Sequence, residues 1–313
     1  MGNSVSHEES HEVNHSKTLT KITNFYFDKY NLVPSLPGHE YTTINMDVLK
    51  KKYNVDDKIE DYIDLRNTFP NIINMDILPF NPVISVVYIL HWALLRNKLP
   101  IFPPSPMYIY RNISYYKNVK SLLCFDVIFN SIKEFGFCSE NEFHMITENL
   151  ANDIPLRIKE KSLAFKFIKI YKVEQELDTI QHLLKNKYPI LIGLTIYYDL
   201  TKISSYMWMP DATQDKKLGG IGGVLVGYIN ERKMFIMAST FGDSFGTSGF
   251  ILVPYEYVLN PEYTFELYTL DFDSDRVDGY INQRKQMISL ETTTIKQRSK
   301  EEYTKDMFGS LFS

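Results

Sequence analysis

The sequence predicts an α+β protein in two lobes, helices in the first part and strands in the second. Three observations carry this. The run from Pro82 to Asn97 is apolar on nearly every face, which marks a helix buried on most sides rather than one lying on a surface. Short runs separated by Gly, Asp and Asn turns dominate from Ile190 onward and read as strands. At 313 residues with 44% hydrophobic and 14% aromatic content, the chain has enough apolar material to bury a sizeable core.

Residues 1–22 read as a polar tail and residues 23–63 as an N-terminal extension. In the extension, the aromatic segment Asn24 to Tyr30 precedes Val33-Pro34-Ser35-Leu36-Pro37-Gly38. Its prolines restrict φ and predict an extended strap lying against the domain. The charged stretch from Met46 to Tyr62 predicts a short helix. A main domain over 64–273 opens at Asp64-Leu65-Arg66. Its central helix runs from Pro82 to Asn97, with Asn81 immediately before it as the N-cap and proline at the first helical position. Val119 to Phe135, closed by Gly136, predicts a second helix, and Glu174 to Lys187, closed by Tyr188-Pro189, a third. The predicted strands are Ile190 to Tyr198, Gly223 to Tyr228, Lys233 to Ala238 and Gly249 to Val253. Residues 274–313 form a polar tail ending in Met307-Phe308-Gly309-Ser310-Leu311-Phe312, read as an arm over the domain or a docking peptide.

Composition excludes several classes. The formal charge is −4, from 34 basic and 38 acidic residues, so no positive field attracts nucleic acid and none is expected as a partner. The two cysteines, Cys124 and Cys138, are too few for a disulfide framework, and no Cys/His spacing suits zinc. No metal or cofactor is expected. His7, His11 and His15 recur at one-turn spacing, but the acidic, Ser-containing segment around them reads as a solvated spacer. No apolar run reaches the ~20 residues that span a bilayer, and the N-terminus lacks the apolar stretch of a secretory signal. The expectation is a cytosol-facing chain that is not secreted.

Met1-Gly2-Asn3-Ser4-Val5-Ser6 matches the N-myristoylation pattern, with Gly2 as the acylation site. Glycine supplies an unhindered α-amine. A single myristoyl chain binds membranes marginally, and no nearby cysteine or basic cluster provides a second anchor. A partner protein or multivalent assembly is expected to supply the rest.

Several segments occur in an order that resembles the papain-like cysteine peptidases, in particular their bacterial and viral branch. They are Val33-Pro34-Ser35-Leu36-Pro37, Asp64-Leu65-Arg66, Phe102-Pro103-Pro104-Ser105 with Tyr108-Ile109-Tyr110, and Phe135-Gly136-Phe137-Cys138. Tyr188-Pro189-Ile190, Leu218-Gly219-Gly220, Val226-Gly227-Tyr228 and Phe241-Gly242-Asp243-Ser244-Phe245-Gly246 follow. The resemblance covers roughly 240 residues and implies a two-lobe fold: a helical lobe with a buried central helix, and a lobe built on an antiparallel β-sheet or barrel.

The same register implies where catalytic groups belong. The family's nucleophilic cysteine heads the central helix, where the helix dipole and an imidazolium lower the thiol pKa. That position is Asn81, expected here to cap the helix. The oxyanion glutamine falls on Met75, the base histidine on Ile221 after Gly219-Gly220, and the orienting asparagine on Ser239 of Ser239-Thr240-Phe241-Gly242. All four are degenerate, and catalytic groups of a triad act as a unit. Met75 and Ile221 are expected to pack as apolar fillers. Cys138, and Cys124 inside the second helix, read as small buried residues. Ser85 is expected to bond a backbone carbonyl and His91 to be a hydrogen-bonded core histidine; His144 and His182 fall on loop and helix positions.

The resemblance therefore implies an inactive pseudopeptidase rather than an enzyme, serving as a membrane-tethered interaction or structural module. Its expected partner is a protein or an extended peptide. Its expected place is a cytosol-facing membrane surface or a membrane-associated virion layer. The alternative is an active cysteine-type peptidase with relocated catalytic residues.

Overall fold

The longest helix runs from Asn81 to Arg96, and everything else is arranged around it. The computed structural model describes residues 30–286, except 39, 54–57, 75–79, 117–121, 212 and 284. In chain order its elements are β1 (Thr42–Ile44), α1 (Met46–Tyr53), β2 (Tyr62–Asp64), α2 (Asn81–Arg96), α3 (Pro106–Tyr116), α4 (Phe125–Phe135) and α5 (Leu156–Ser162). There follow β3 (Ile168–Val173), α6 (Leu177–Lys185), β4 (Ile190–Ile196), β5 (Gly219–Ile229), β6 (Met234–Ala238), β7 (Phe250–Pro254), α7 (Tyr255–Leu259) and β8 (Thr264–Phe272). A further helical stretch starts at residue 274.

The eight strands form one open sheet in the order β1-β3-β8-β4-β5-β6-β7, with β2 paired to β5. It does not close into a barrel. All pairings are antiparallel except β1 with β3, which is parallel. Strand β1 follows the segment read as a strap, so the N-terminal extension contributes an edge of the sheet.

Helix α2 is buried on all sides, as its unbroken apolarity predicts: every residue from Asn81 to Leu90 is buried, and the helix packs on β5 and β8. Its far end is held by Trp92, whose indole N–H donates to the Lys187 carbonyl at 2.9 Å. Helix α4 ends as expected at Gly136, which adopts φ 66°. A Cβ there would lie 1.8 Å from the Ser162 carbonyl oxygen, so glycine is required both for the turn and for the approach of α5.

The helix itself begins six residues later than predicted. Leu123 instead pairs with the strap: its N–H donates to the Asn31 carbonyl, and its own carbonyl accepts the Val33 N–H. Cys124 is consequently extended and sits at the cap position, half-buried, rather than inside the helix. Seven of these elements, β1, β2, α3, α5, β3, α7 and β8, were not anticipated from the sequence. Helix α3 starts at the pair Ser105-Pro106, where the Ser105 hydroxyl accepts the Tyr108 N–H at 3.0 Å, an ordinary N-terminal cap. Strand β8 lies between β3 and β4, and its enrichment in Thr, Phe and Tyr was the available signal.

Candidate functional site

Three chain segments converge at the N-terminal end of α2: the helix head itself, the first half of β5, and the segment after β6. Asn81 is fully buried and is the first residue of the helix, so the cap position falls on Phe80, and the Asn81 side chain does not cap. Its carboxamide points across to β5. Oδ1 accepts the Gly222 N–H at 2.7 Å, and Nδ2 faces the Gly222 carbonyl at 3.5 Å while donating to the Thr240 hydroxyl oxygen. The expected capping role is thus replaced by a cross-lobe one.

The geometry of β5 explains this choice. Gly220 uses its N–H and carbonyl to pair with Tyr30 and Leu32 of the strap, and from Val224 onward the strand pairs with β6. Gly222 is in register with Gly193 of β4 on one side; on its other edge, between these two ladders, no strand faces it among the described residues, and the Asn81 amide supplies the donor and acceptor that a neighbouring strand would have provided. Gly222 also lacks the room for a side chain. A Cβ there would meet the Ser85 hydroxyl at 2.2 Å. Ser85 is itself occupied, donating to the Pro82 carbonyl at 2.8 Å as expected.

Ile221, next to Gly222, is 1% exposed and packs in the core as an apolar filler. Ser239 is buried, and its hydroxyl accepts the Phe241 N–H at 3.0 Å rather than reaching Asn81. The residue that does reach Asn81 is Thr240, one position further on and fully buried. Neither Thr240 nor Gly222 was singled out in the sequence; the signal was their position beside the two register-assigned residues, Ser239 and Ile221. Asn74 forms an antiparallel bridge with Phe241, which brings the chain just before Met75 against this cluster. Met75 lies outside the described residues, as does Gly2.

The cluster of Asn81, Ile221, Gly222, Ser239 and Thr240 contains neither thiol nor imidazole. It can exchange hydrogen bonds but offers no group that ionises near neutral pH. The described thiols lie elsewhere. Burial raises the Cys138 thiol far above the ordinary range, with Glu142 and Glu140 adding to the effect. Cys124 is raised as well, first by burial and then by the charges of Asp126 and Glu266. Both shifts disfavour a thiolate.

Of the described histidines, His91 is half-buried with its pKa lowered by burial. No hydrogen bond to its ring is found among the described residues, contrary to the expectation of a bonded core histidine. His182 is buried in α6 with Nδ1 2.8 Å from the Asp178 carbonyl, and His144 is exposed in a loop. Among the described residues no group of three His, Cys, Asp or Glu is placed to hold a metal, and no helix is long and apolar enough to cross a membrane.

A central helix packed against an open sheet, with its N-terminus meeting the strand after Gly219-Gly220, is the papain-like cysteine peptidase fold, and the chain has it. Xylellain, a cysteine protease from Xylella fastidiosa, superposes with a TM-score of 0.70 at 16% identity, over 79% of this chain and 97% of that one. Digestive procathepsin L 3 from the larval midgut of Tenebrio molitor gives 0.59 at 13% identity, over 86% and 95%. ProCathepsin B S9 from Trypanosoma congolense gives 0.57 at 12% identity, over 79% and 88%. In sequence, the chain is 24% identical over 194 residues to an uncharacterized peptidase C1-like protein of Acanthamoeba polyphaga mimivirus. That match spans 56% of this chain and 61% of the relative. No family model matches the chain.

Proposed function

We propose that this chain is a papain-like pseudopeptidase: a protease fold retained as an interaction or structural module, without thiol chemistry. The observation that supports the reading most strongly is the bond set of Asn81. The carboxamide at the head of the central helix is consumed in joining α2 to Gly222 and Thr240, with buried Ile221 beside it. A carboxamide in that role joins the helix to the sheet and, unlike a thiol, has no ionised form to act as a nucleophile.

The module binds a protein or an extended peptide without cleaving it. It is tethered through a myristoyl group on Gly2 to a cytosol-facing membrane or to the membrane-associated layer of a virion. The viral relative is consistent with the second setting. Because one acyl chain anchors only marginally, tethering depends on that partner or on many copies acting together.

The chemistry is tested by incubating purified protein with a broad peptide library and with a thiol-reactive activity probe. No turnover and no labelling at neutral pH are expected. Hydrolysis abolished by Cys124→Ala or Cys138→Ala would overturn the reading in favour of an active peptidase with relocated residues. The tether is tested by intact mass spectrometry of protein made in eukaryotic cells, which should show loss of Met1 and gain of a fourteen-carbon acyl group. Equal membrane partitioning of Gly2→Ala and the parent would remove the anchor.

A further inference from the structure

A cavity of about 630 Å³ shares no residue with the Asn81 cluster. It lies between α5, the chain around Phe102, the segment following α4 and the helical stretch that begins at 274. Its size falls within the ~300–1,000 Å³ of small-molecule sites. Its wall is apolar: Phe102, Phe137 and Phe165 pack on one another with ring centroids 4.9 to 5.9 Å apart, joined by Ala164 and Ile281. Its rim is cationic. Arg157, Lys161 and Lys285 face one acid, Glu142, which Lys161 already engages at 2.6 Å. Arg157 and Lys285 make no ion pair among the described residues. An apolar pocket under a positively charged mouth matches a hydrocarbon chain whose polar flank is anionic.

We propose that this cavity holds a straight acyl chain, and that its occupant is the acyl group on Gly2 of the same molecule. The inference rests on the acylation put forward above. Charge complementarity selects this segment: Gly2 is followed by Glu8, Glu9 and Glu12, with no Lys or Arg before Lys17, so the acidic flank meets Arg157 and Lys285 at the rim. Reach is sufficient. The 28 residues from Gly2 to Lys29 span up to ~90 Å when extended, against a radius of gyration of roughly 20 Å for a domain of this length. The other apolar terminal segment, Met307 to Phe312, is less suited, because residues 287–313 carry four basic and four acidic residues and offer no net charge to the rim. A sheltered acyl chain makes membrane binding conditional: the tether is available when the chain leaves the cavity and withheld when it is inside.

The test uses the full chain in two forms, unmodified from bacteria and acylated from eukaryotic cells with its mass verified. Sodium myristate is the probe, titrated by calorimetry. The unmodified chain should take up one myristate per molecule, and reversing the exposed rim charges with Arg157→Glu and Lys285→Glu should weaken uptake by about tenfold or more. The acylated chain should take up none. Filling the cavity with Ala164→Trp should abolish uptake by the unmodified chain and increase the fraction of acylated protein that sediments with phosphatidylcholine vesicles. If that variant does not fold, the charge reversals should produce the same rise in sedimentation.

No uptake by the unmodified chain overturns the cavity assignment even where the mass shows an acyl group on Gly2. Uptake of myristate by a chain that eukaryotic cells leave unacylated overturns the occupant and the acylation together. Uptake that appears solely in a Phe308→Ser, Phe312→Ser variant identifies the C-terminal segment as the occupant and overturns the proposal.

Discussion

Replacing Asn81 by Asp separates the two roles that residue can have. As a helix cap, Asp is as good as Asn, and the change alters stability by a few tenths of a kcal/mol. As the bridge between α2 and β5, it is costly. Asn81 is fully buried, and its amide both accepts from Gly222 and donates to Thr240. A carboxylate keeps the Gly222 N–H bond but cannot donate, faces the Gly222 carbonyl across 3.5 Å, and must be stripped of water.

An unsatisfied or repelled buried polar group costs about 1–3 kcal/mol, and more when charged, so a loss of about 2–4 kcal/mol is expected at pH 8. The sign of the pH dependence follows. Burial raises the folded-state pKa of the new carboxyl above its unfolded value. The variant is therefore most stable below about pH 4, where the group is neutral in both states, and loses stability as pH rises toward the folded-state pKa. Urea midpoints followed by circular dichroism at pH 4.5, 6 and 8 measure this, with the unfolding slope checked for constancy. Asn81→Asp with wild-type stability at pH 8 would refute the cross-lobe bridge and restore the capping role.

Gly222→Ala should destabilise by about 1–3 kcal/mol through overpacking against Ser85, whose hydroxyl stands 2.2 Å from the added Cβ. Adding Ser85→Ala should recover part of that loss in urea melts; no recovery would mean the clash lies elsewhere. Gly136→Ala should cost more than about 2 kcal/mol, since it combines φ 66° with a Cβ 1.8 Å from the Ser162 oxygen, and a Tm equal to wild type would contradict the tight α4–α5 junction.

Glu266 is buried, accepts the Ser35 N–H of the strap at 2.6 Å, and has its pKa raised chiefly by burial. The stability this site contributes is therefore full below the ordinary carboxylate pKa and is lost as pH rises through the elevated one. Relative to wild type, Glu266→Gln should gain stability between about pH 4.5 and 8; parallel profiles would show that the site does not titrate in that window.

The central helix, the strands β4 to β7 and the end of α4 were legible in the sequence because each depends on local physics. Apolarity on every face, alternation between turns, and Gly136 after the last helical residue need no distant partner to be read. Ordered segments such as Leu218-Gly219-Gly220 and Val226-Gly227-Tyr228 carried the register far enough to identify the papain-like fold. The candidate site was half legible. Register found Asn81, Ile221 and Ser239 but assigned Asn81 the local task of capping. Its partner Gly222 is 141 positions away, and the vacancy that Asn81 fills exists because the strap and β6 take the flanking parts of the β5 edge.

The late start of α4 has the same origin, since Leu123 was drawn into pairing with Asn31 and Val33. The sequence by itself determined the central helix, the strands β4 to β7 and which side chains stand at the positions that the register assigns. Tertiary structure alone decided what those side chains bond to, because a buried amide takes whichever unpaired backbone group the assembled sheet leaves facing it.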